Sequence, residues 1–433
     1  MNQQINSFPP SGTRDFFPQD MKKRNWLFDT FKQISESYGF EQYDAPIVEH
    51  ADLYTRKGSD DILSEMYVIS DKEPKLAIRP EMTPSFVRMA MQKYATNSYK
   101  PLKWFSIPQC FRYETTSRGR KREHFQWNLD ILGADNMKYE LELFSILISF
   151  FTKVGLTSKD VTIHISNRKI LQYVLNFIGV PDNLFEQACV IIDKISKLSE
   201  EDFANKLINE INMDLNGVNY IRDLMKVTII DDLAQFMPTD NEAFIDLKQL
   251  FTLAEQLHIN EWLIFDPSIV RGLSYYTGIV FEGFFNNSEI KRAVCGGGRY
   301  DNLTQTYGYD KVPVIGFGFG DVVILDVLEE LSLLPKFVNK VDYVVVPFND
   351  ELYPASMIIS ELLRTKNKIV LTYMKAGKRT LAFDYADRVG SDIVIYVAPT
   401  EWDNKQLVVK YLRETDKNKK QIVIDLNEFI NSL

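Results

Sequence analysis

The sequence predicts an α+β protein of more than one domain: a first domain built on an antiparallel sheet flanked by helices, a helical insertion within it, and an α/β module at the C-terminal end. Three observations carry this reading. Two strand-like runs, 102–114 and 124–134, flank the basic loop of "FRYETTSRGRKREHFQWNLDILG". Residues 168–260 are rich in helix formers and poor in strand patterns. After Pro335 the pattern becomes a short alternation of strands and helices. A chain of 433 residues also exceeds one ordinary core. The expected domains are 1–165 with 261–335, an insertion over 166–260, and 341–433.

Residues 20–38 read as an amphipathic helix, with Leu27, Phe31, Ile34 and Tyr38 on one stripe and Gly39 as the stop. "FEQYDAPIVEH" reads as a strand broken by Pro46, suited to an edge or an interface. In 124–134, Phe125, Trp127, Leu129 and Ile131 alternate with Gln126, Asn128 and Asp130, so the polar set shares one face. By the same period Arg112 and Glu114 share a face. Such a face is costly to bury unless its groups pair with one another or with a ligand. Residues 138–155 read as a helix, and Pro84 opens another at its first turn. "IVRGLSYYTGIVFEGFF" returns to strand and turn, "AVCGGGRYDNL" adds a glycine-rich turn, and "VPVIGFGFGDVVILDVLEEL" runs from strand into helix. Beyond Pro335, "VDYVVVPF", "KIVLTYM", "DIVIYVA", "LVVKYL" and "QIVIDL" read as strands, with helices near 351–365 and 380–389.

Composition narrows the function. The net charge is −9, yet Arg112, Arg118, Arg120, Lys121 and Arg122 fall within one loop beside a single carboxylate, Glu114. Segment 166–260 holds 8 basic and 15 acidic residues, a net of −7, so the acidic surplus is concentrated there. No apolar run reaches the ~18–20 residues that span a membrane. Cys110, Cys189 and Cys295 are scattered without CxxC spacing, which suits a reducing cytoplasm. The four histidines do not pair at metal spacing, so no protein metal site is expected. GxxxxGK[ST], GxSxG and HExxH are absent, so phosphates would be carried on an antiparallel sheet.

Each motif admits two readings from its residues alone. The basic loop is a solvated hairpin tip or a phosphate clamp built on planar guanidinium forks. In "AIRPEMTPSFVR", Glu81 belongs to a helix cap or binds a cation such as an α-amino group. "CGGGRYD" is a tight turn or a close approach to a ligand. The alternating glycines of "GFGFGD" leave one strand face bare, against which a flat ring could lie.

Together these motifs resemble class II aminoacyl-tRNA synthetases, and specifically the histidyl-tRNA synthetase family, over essentially the whole chain. "GFEQYDAPIVE" looks like the first class II motif, which in the family builds the homodimer interface. The basic strand–loop–strand looks like the second. "RGLSYYTGIVFE" and "GGGRYDNL" look like the histidine-specific signatures, and "VPVIGFGFGDVVIL" takes the place of the third motif. The resemblance implies that L-histidine attacks ATP, with Mg²⁺ on its phosphates, and that the resulting histidyl-adenylate charges histidine tRNA. It implies Arg112 and Arg271 on the α-phosphate. It gives Glu114, Arg120 and Gly318 to the rest of ATP. Glu81, Thr83 and Gln126 go to the ammonium of histidine, and Asp130, Tyr275 and Tyr276 to its imidazole. Arg118, Lys121 and Arg122 go to the tRNA acceptor, and 341–433 to the anticodon. Three departures stand out: Val323 where the third motif usually has arginine, Asp130 where many relatives have Glu, and Thr115-Thr116-Ser117 where many have Arg-Pro-Gln. The competing reading is a non-catalytic histidine-binding regulatory paralogue, a kind that usually lacks the phosphate arginines and the C-terminal module.

Overall fold

Pro18 opens the first long helix, Pro18–Ser37, at a position where its missing N–H costs nothing. Asp20 accepts from the Phe17 N–H at 3.1 Å and so satisfies one of the donors that a helix start leaves open. Leu27, Phe31 and Ile34 are buried at helical spacing, and Gly39, at φ +78°, ends the run. This is a computed structural model that describes residues 6–433 apart from 57–59, 70–72, 95, 97–99, 272–274, 291, 339–340, 376–378 and 417–418. The chain forms two compact units, Met1–Leu334 and Pro335–Leu433.

The strands of the first unit are β1 (Glu41–Gln42), β2 (Val48–His50), β3 (Val68–Ile69), β4 (Leu76–Ile78), β5 (Leu102–Ser106), β6 (Gln109–Phe111), β7 (Glu123–Leu132), β8 (Val161–Asn167), β9 (Leu263–Phe265), β10 (Ile279–Phe285), β11 (Cys295–Arg299) and β12 (Val314–Gly320). Among the described residues, nine of them form one sheet in the order β1-β5-β7-β12-β11-β10-β8-β9, with β6 also paired to β7. Its centre is antiparallel, and β1–β5 and β8–β9 are parallel. β2, β4 and β3 form a smaller sheet around the expected edge motif.

One face of the large sheet is core. Trp127, Leu129 and Ile131 from β7, Phe317 and Phe319 from β12, and Phe281 from β10 are buried beneath the helices Pro18–Ser37 and Lys138–Lys153. Phe31 stacks on Trp127 with centroids 4.5 Å apart, and the Trp127 indole N–H donates to Ser35. Full burial of each such side chain contributes roughly 1.5–3 kcal/mol. The period of two therefore delivers the polar set of β7 to the opposite face.

Two local expectations change. The strand expected over 102–114 breaks after Ser106. Pro108 has no N–H to give a ladder, and its carbonyl instead accepts from Gln126. Arg112 and Glu114 consequently lie in the loop beyond β6. The glycine-rich turn expected at "CGGGR" is strand β11, paired on both sides. Its neighbours leave no room for side chains: a Cβ at Gly297 would meet the Gly316 carbonyl and the Phe281 ring.

Four of the helices between β8 and β9 start at side-chain caps, and Phe185–Ile192 does not. Asn167, Ser199, Asp214 and Asn241 each accept from a backbone N–H of the following turn. Their apolar residues, including Ile170, Leu207 and Leu247, belong to the same buried cluster as the large sheet. In the second unit β13 (Val341–Pro347), β14 (Val370–Thr372), β15 (Ser391–Val397), β16 (Gln406–Tyr411) and β17 (Gln421–Asp425) form a sheet ordered β14-β13-β15-β16-β17. It carries a core on each face, one with Val345, Ile359 and Ile395, the other with Val344, Ala386 and Val394.

Candidate active site

Directly opposed residues of antiparallel strands point to the same side of the sheet. His164, Glu282, Gly296, Gly318 and Asn128 therefore form one row across β8, β10, β11, β12 and β7. Gly298, Gly316 and Asp130 belong to the next row. The glycines make floor space. A Cβ at Gly296 would strike the Arg271 guanidinium, one at Gly316 the Asp130 carboxylate, and one at Gly318 the Gln126 amide. The bare stripe read from "GFGFGD" thus extends onto β11 and is overlaid by polar side chains.

At one end of this floor lies a buried acceptor pocket. Asp130 is buried, accepts a hydrogen bond from the Tyr300 hydroxyl, and has its Oδ2 without a hydrogen-bond partner among the described residues. Burial raises its pKa to about 7, against the Tyr300 hydrogen bond and with help from the charge of Glu81. Glu81 precedes the helix Thr83–Tyr94 and accepts from the Tyr275 hydroxyl at 3.1 Å. Its pKa is raised by burial and pulled back by Arg112, Tyr275 and Arg271. Thr83, two residues further on, is buried, and the Gln126 Oε1 is buried without a hydrogen-bond partner among the described residues. Tyr275 and Tyr276 are buried, with ring centroids 4.9 Å apart. Two carboxylates and an amide oxygen thus face fewer donors among the described residues than they can accept from. Unmet acceptors are costly in a protein interior, so the chemistry calls for a small ligand rich in N–H.

Beyond the pocket opens a cleft of about 1170 Å³, lined by Arg112, Glu114, Arg120, Arg271, Glu282 and Gly318, among others. Arg271 holds a left-handed backbone, φ +61°, an uncommon conformation for a residue with a Cβ. Its guanidinium pairs with Glu282 and sits 5.7 Å from the Tyr276 ring centroid. Residues 272–274 of that motif lie outside the described residues. Arg112 is fixed by donating from Nε to the Pro80 carbonyl at 3.0 Å, and its Nη1 lies 4.0 Å from Glu114. Arg120 pairs with Glu114 and, at 3.6 Å, with Glu65. The loop between β6 and β7 closes at its tip through reciprocal hydrogen bonds of Ser117 and Arg120, with Gly119 at φ +73°. His124 stays neutral: burial first, then Arg112 and Arg14, push its pKa to about 3.

The structure thus brings Arg112, Arg271, Glu114, Arg120 and Gly318 to one cleft, which Gln126 also lines, next to the buried group of Glu81, Asp130, Tyr275 and Tyr276; Thr83 is buried at the start of the helix that follows Glu81. The three outer cations diverge. Arg118 bridges Glu289 and Glu330 at 3.0 and 2.9 Å, and Lys121 lines the cleft. Arg122 is engaged within the loop, donating to the Glu114 carbonyl at 3.2 Å and lying 3.8 Å over the Tyr113 ring. Sequence reasoning gave no role to Tyr300 and Glu282. Both stand inside quoted motifs, in "GGGRYDNL" and "RGLSYYTGIVFE", and only the pairing of β10, β11 and β12 shows what they touch. Among the described residues no group of three or more His, Cys, Asp or Glu is arranged to hold a metal ion.

A family model for histidyl-tRNA synthetase matches residues 12–320. The chain is 42% identical over 412 residues to a histidine–tRNA ligase, chloroplastic/mitochondrial, of Arabidopsis thaliana, covering 95% of this chain and 84% of the relative. It is 34% identical over 385 residues to a histidine–tRNA ligase of Leptospira biflexa, covering 88% and 87%. The histidyl-tRNA synthetase structure from Nostoc sp. PCC 7120 superposes with a TM-score of 0.76 at 23% identity, over 99% of this chain and 100% of that one.

Proposed function

The chain belongs to the histidyl-tRNA synthetase family, and on that premise we propose that it is a histidine–tRNA ligase that activates L-histidine with ATP and transfers it to the 3′ end of histidine tRNA. The observation that carries the reading is the junction of two sites. A buried pocket of acceptors, Glu81, Gln126 and Asp130, opens beside a cleft whose near wall holds Arg112 and Arg271. Histidine offers an ammonium and an imidazole N–H to the pocket, and its carboxylate would then face the two arginines.

Arg112 and Arg271 take the α-phosphate and neutralise charge that develops as pyrophosphate leaves, a contribution that preorganised cations make without reorganisation cost. Arg120, Glu114 and Gly318 hold the remaining nucleotide. Asp130, oriented by Tyr300, accepts the imidazole N–H, and Tyr275 and Tyr276 wall the ring. Glu81, Thr83 and Gln126 meet the ammonium. Mg²⁺ carried on the ATP phosphates would supply further charge neutralisation, and Glu114 and Glu282 are the cleft carboxylates suited to join its shell. Arg118, Lys121 and Arg122 meet acceptor-end phosphates without reading bases, and 341–433 reads the anticodon. The chain retains the phosphate arginines and the C-terminal unit, which favours the ligase over a regulatory paralogue.

The family motif that builds dimers coincides here with exposed apolar residues. Ile47, Val48, Val68 and Ile69 are 48, 42, 44 and 39% exposed, which supports a homodimer through this region. The proposed compartment is the cytoplasm, in keeping with three buried free cysteines. No helix among the described residues is long and apolar enough to cross a membrane. The deciding experiment is pyrophosphate exchange with each amino acid in turn. Exchange driven by histidine alone is expected, and exchange driven by another amino acid overturns the substrate.

A further inference from the structure

We infer that Arg292 supplies the terminal-phosphate contact that the third motif lacks, so that a guanidinium from the β10–β11 connection replaces one from the helix after β12. Val323 occupies the motif position usually held by arginine. Its side chain is buried in the helix Asp321–Glu330 and lines the cleft wall. At the tip of the basic loop, a Cβ placed on Gly119 would lie 3.2 Å from Val323 Cγ2 and 3.7 Å from Arg292 Cδ. Val323, the loop tip and the Arg292 stem therefore meet at one spot. The cation missing from the helix is available a side chain's width away, and the small valine leaves it room.

Among the arginines that line the cleft, the same residue stands out. Arg118, Arg120 and Arg271 are each engaged with carboxylates. Arg292 lines the same cleft, is half-buried, and among the described residues has no carboxylate within ion-pair distance. Its donors can turn to a ligand without breaking a pair. The planar fork suits two phosphate oxygens at once. The ligand class is the β- and γ-phosphates of a nucleoside triphosphate, and the pyrophosphate formed from them. This inference rests on the proposed ATP-dependent activation.

The test is pyrophosphate exchange with histidine, alongside tRNA charging, on the full chain, comparing wild type, Arg292→Ala, Arg292→Lys and the double variant Arg292→Ala/Val323→Arg. Arg292→Ala should raise KM for ATP by about ten- to a hundredfold, the range for losing a hydrogen-bonded contact to a charged group, with KM for histidine held within about threefold. Arg292→Lys should fall between, because a point charge keeps the attraction but loses the fork. The double variant should recover most of the ATP affinity by restoring the usual arrangement. An unchanged KM for ATP in Arg292→Ala overturns the inference. So does a defect confined to KM for tRNA, which would make Arg292 an acceptor-end contact. A wild-type chain inactive in exchange with histidine would overturn the activation reading instead, and is thereby distinguished from failure of the Arg292 role.

Discussion

Gly316 and Asp130 stand directly opposite each other on β12 and β7, and a methyl group on Gly316 would run into the Asp130 carboxylate. The same methyl would lie 2.9 Å from the Tyr300 hydroxyl, the donor that orients Asp130. Gly316→Ala should therefore displace the acceptor that selects the imidazole. Losing a buried hydrogen bond to a charged group costs about 1.5–3 kcal/mol, so KM for histidine should rise at least tenfold with little change for ATP. Gly320→Ala is the contrast, since among the described residues nothing lies within 4 Å of its added methyl. Equal effects of the two substitutions would show that the floor, and not this contact, is what matters.

Asp130 also predicts a pH dependence. Its folded pKa, raised to about 7 by burial, lies above the ordinary carboxylate value of about 3.9. The free protein thus protonates Asp130 as pH falls through about 7, removing the acceptor for an imidazole N–H. The sign for folding is the reverse: a raised carboxylate pKa stabilises the fold below the unfolded value, and this contribution is lost as pH rises from about 4 through about 7. kcat/KM for histidine should drop below pH 7 more steeply than titration of free histidine explains. Asp130→Asn should lower kcat/KM at every pH and abolish that additional limb. An identical limb in the variant would assign the titration elsewhere.

Much of this arrangement was legible in sequence, and what was not has physical causes. The alternation of Trp127, Leu129 and Ile131 with Gln126, Asn128 and Asp130 fixed which face of β7 is core, because a one-residue slip would bury the polar set. Strand pairing, by contrast, is non-local. Nothing in "GGGRYD" says that Tyr300 will reach Asp130, 170 residues earlier, or that three glycines will form a central strand. Local propensity favours a turn for such a run, and pairing with β10 and β12 overrides it. The contacts of Arg122 were hidden for the same reason: charge in a loop does not reveal that a guanidinium donates to the Glu114 carbonyl and lies over the Tyr113 ring.

The C-terminal unit should be separable from activation. Residues 335–433 close their own two cores around β13 and β15. The cleft and pocket are built wholly from residues before Pro335. A chain ending at Leu334 should keep histidine-dependent pyrophosphate exchange within a few-fold and lose most tRNA charging. Loss of exchange in a truncated chain that remains folded by circular dichroism would contradict that division.

Arg271 carries the strongest prediction. Its left-handed backbone and its pair with Glu282 hold the guanidinium over Gly296, where only a residue without a side chain allows it to lie. Arginine stays protonated at every working pH, so it can act on developing phosphate charge without a proton step. Removing one preorganised transition-state contact commonly costs about 3–4 kcal/mol, or two to three decades in rate. Arg271→Ala should lower exchange by that much. The substitution also deprives Glu282 of its partner, and an unpaired carboxylate in this half-buried row would destabilise the fold. The double variant Arg271→Ala/Glu282→Gln separates the two effects. It should regain the denaturant midpoint lost by the single variant while leaving exchange as low as before. Recovery of exchange together with stability would mean that Arg271 serves the fold and does not touch the reacting phosphate.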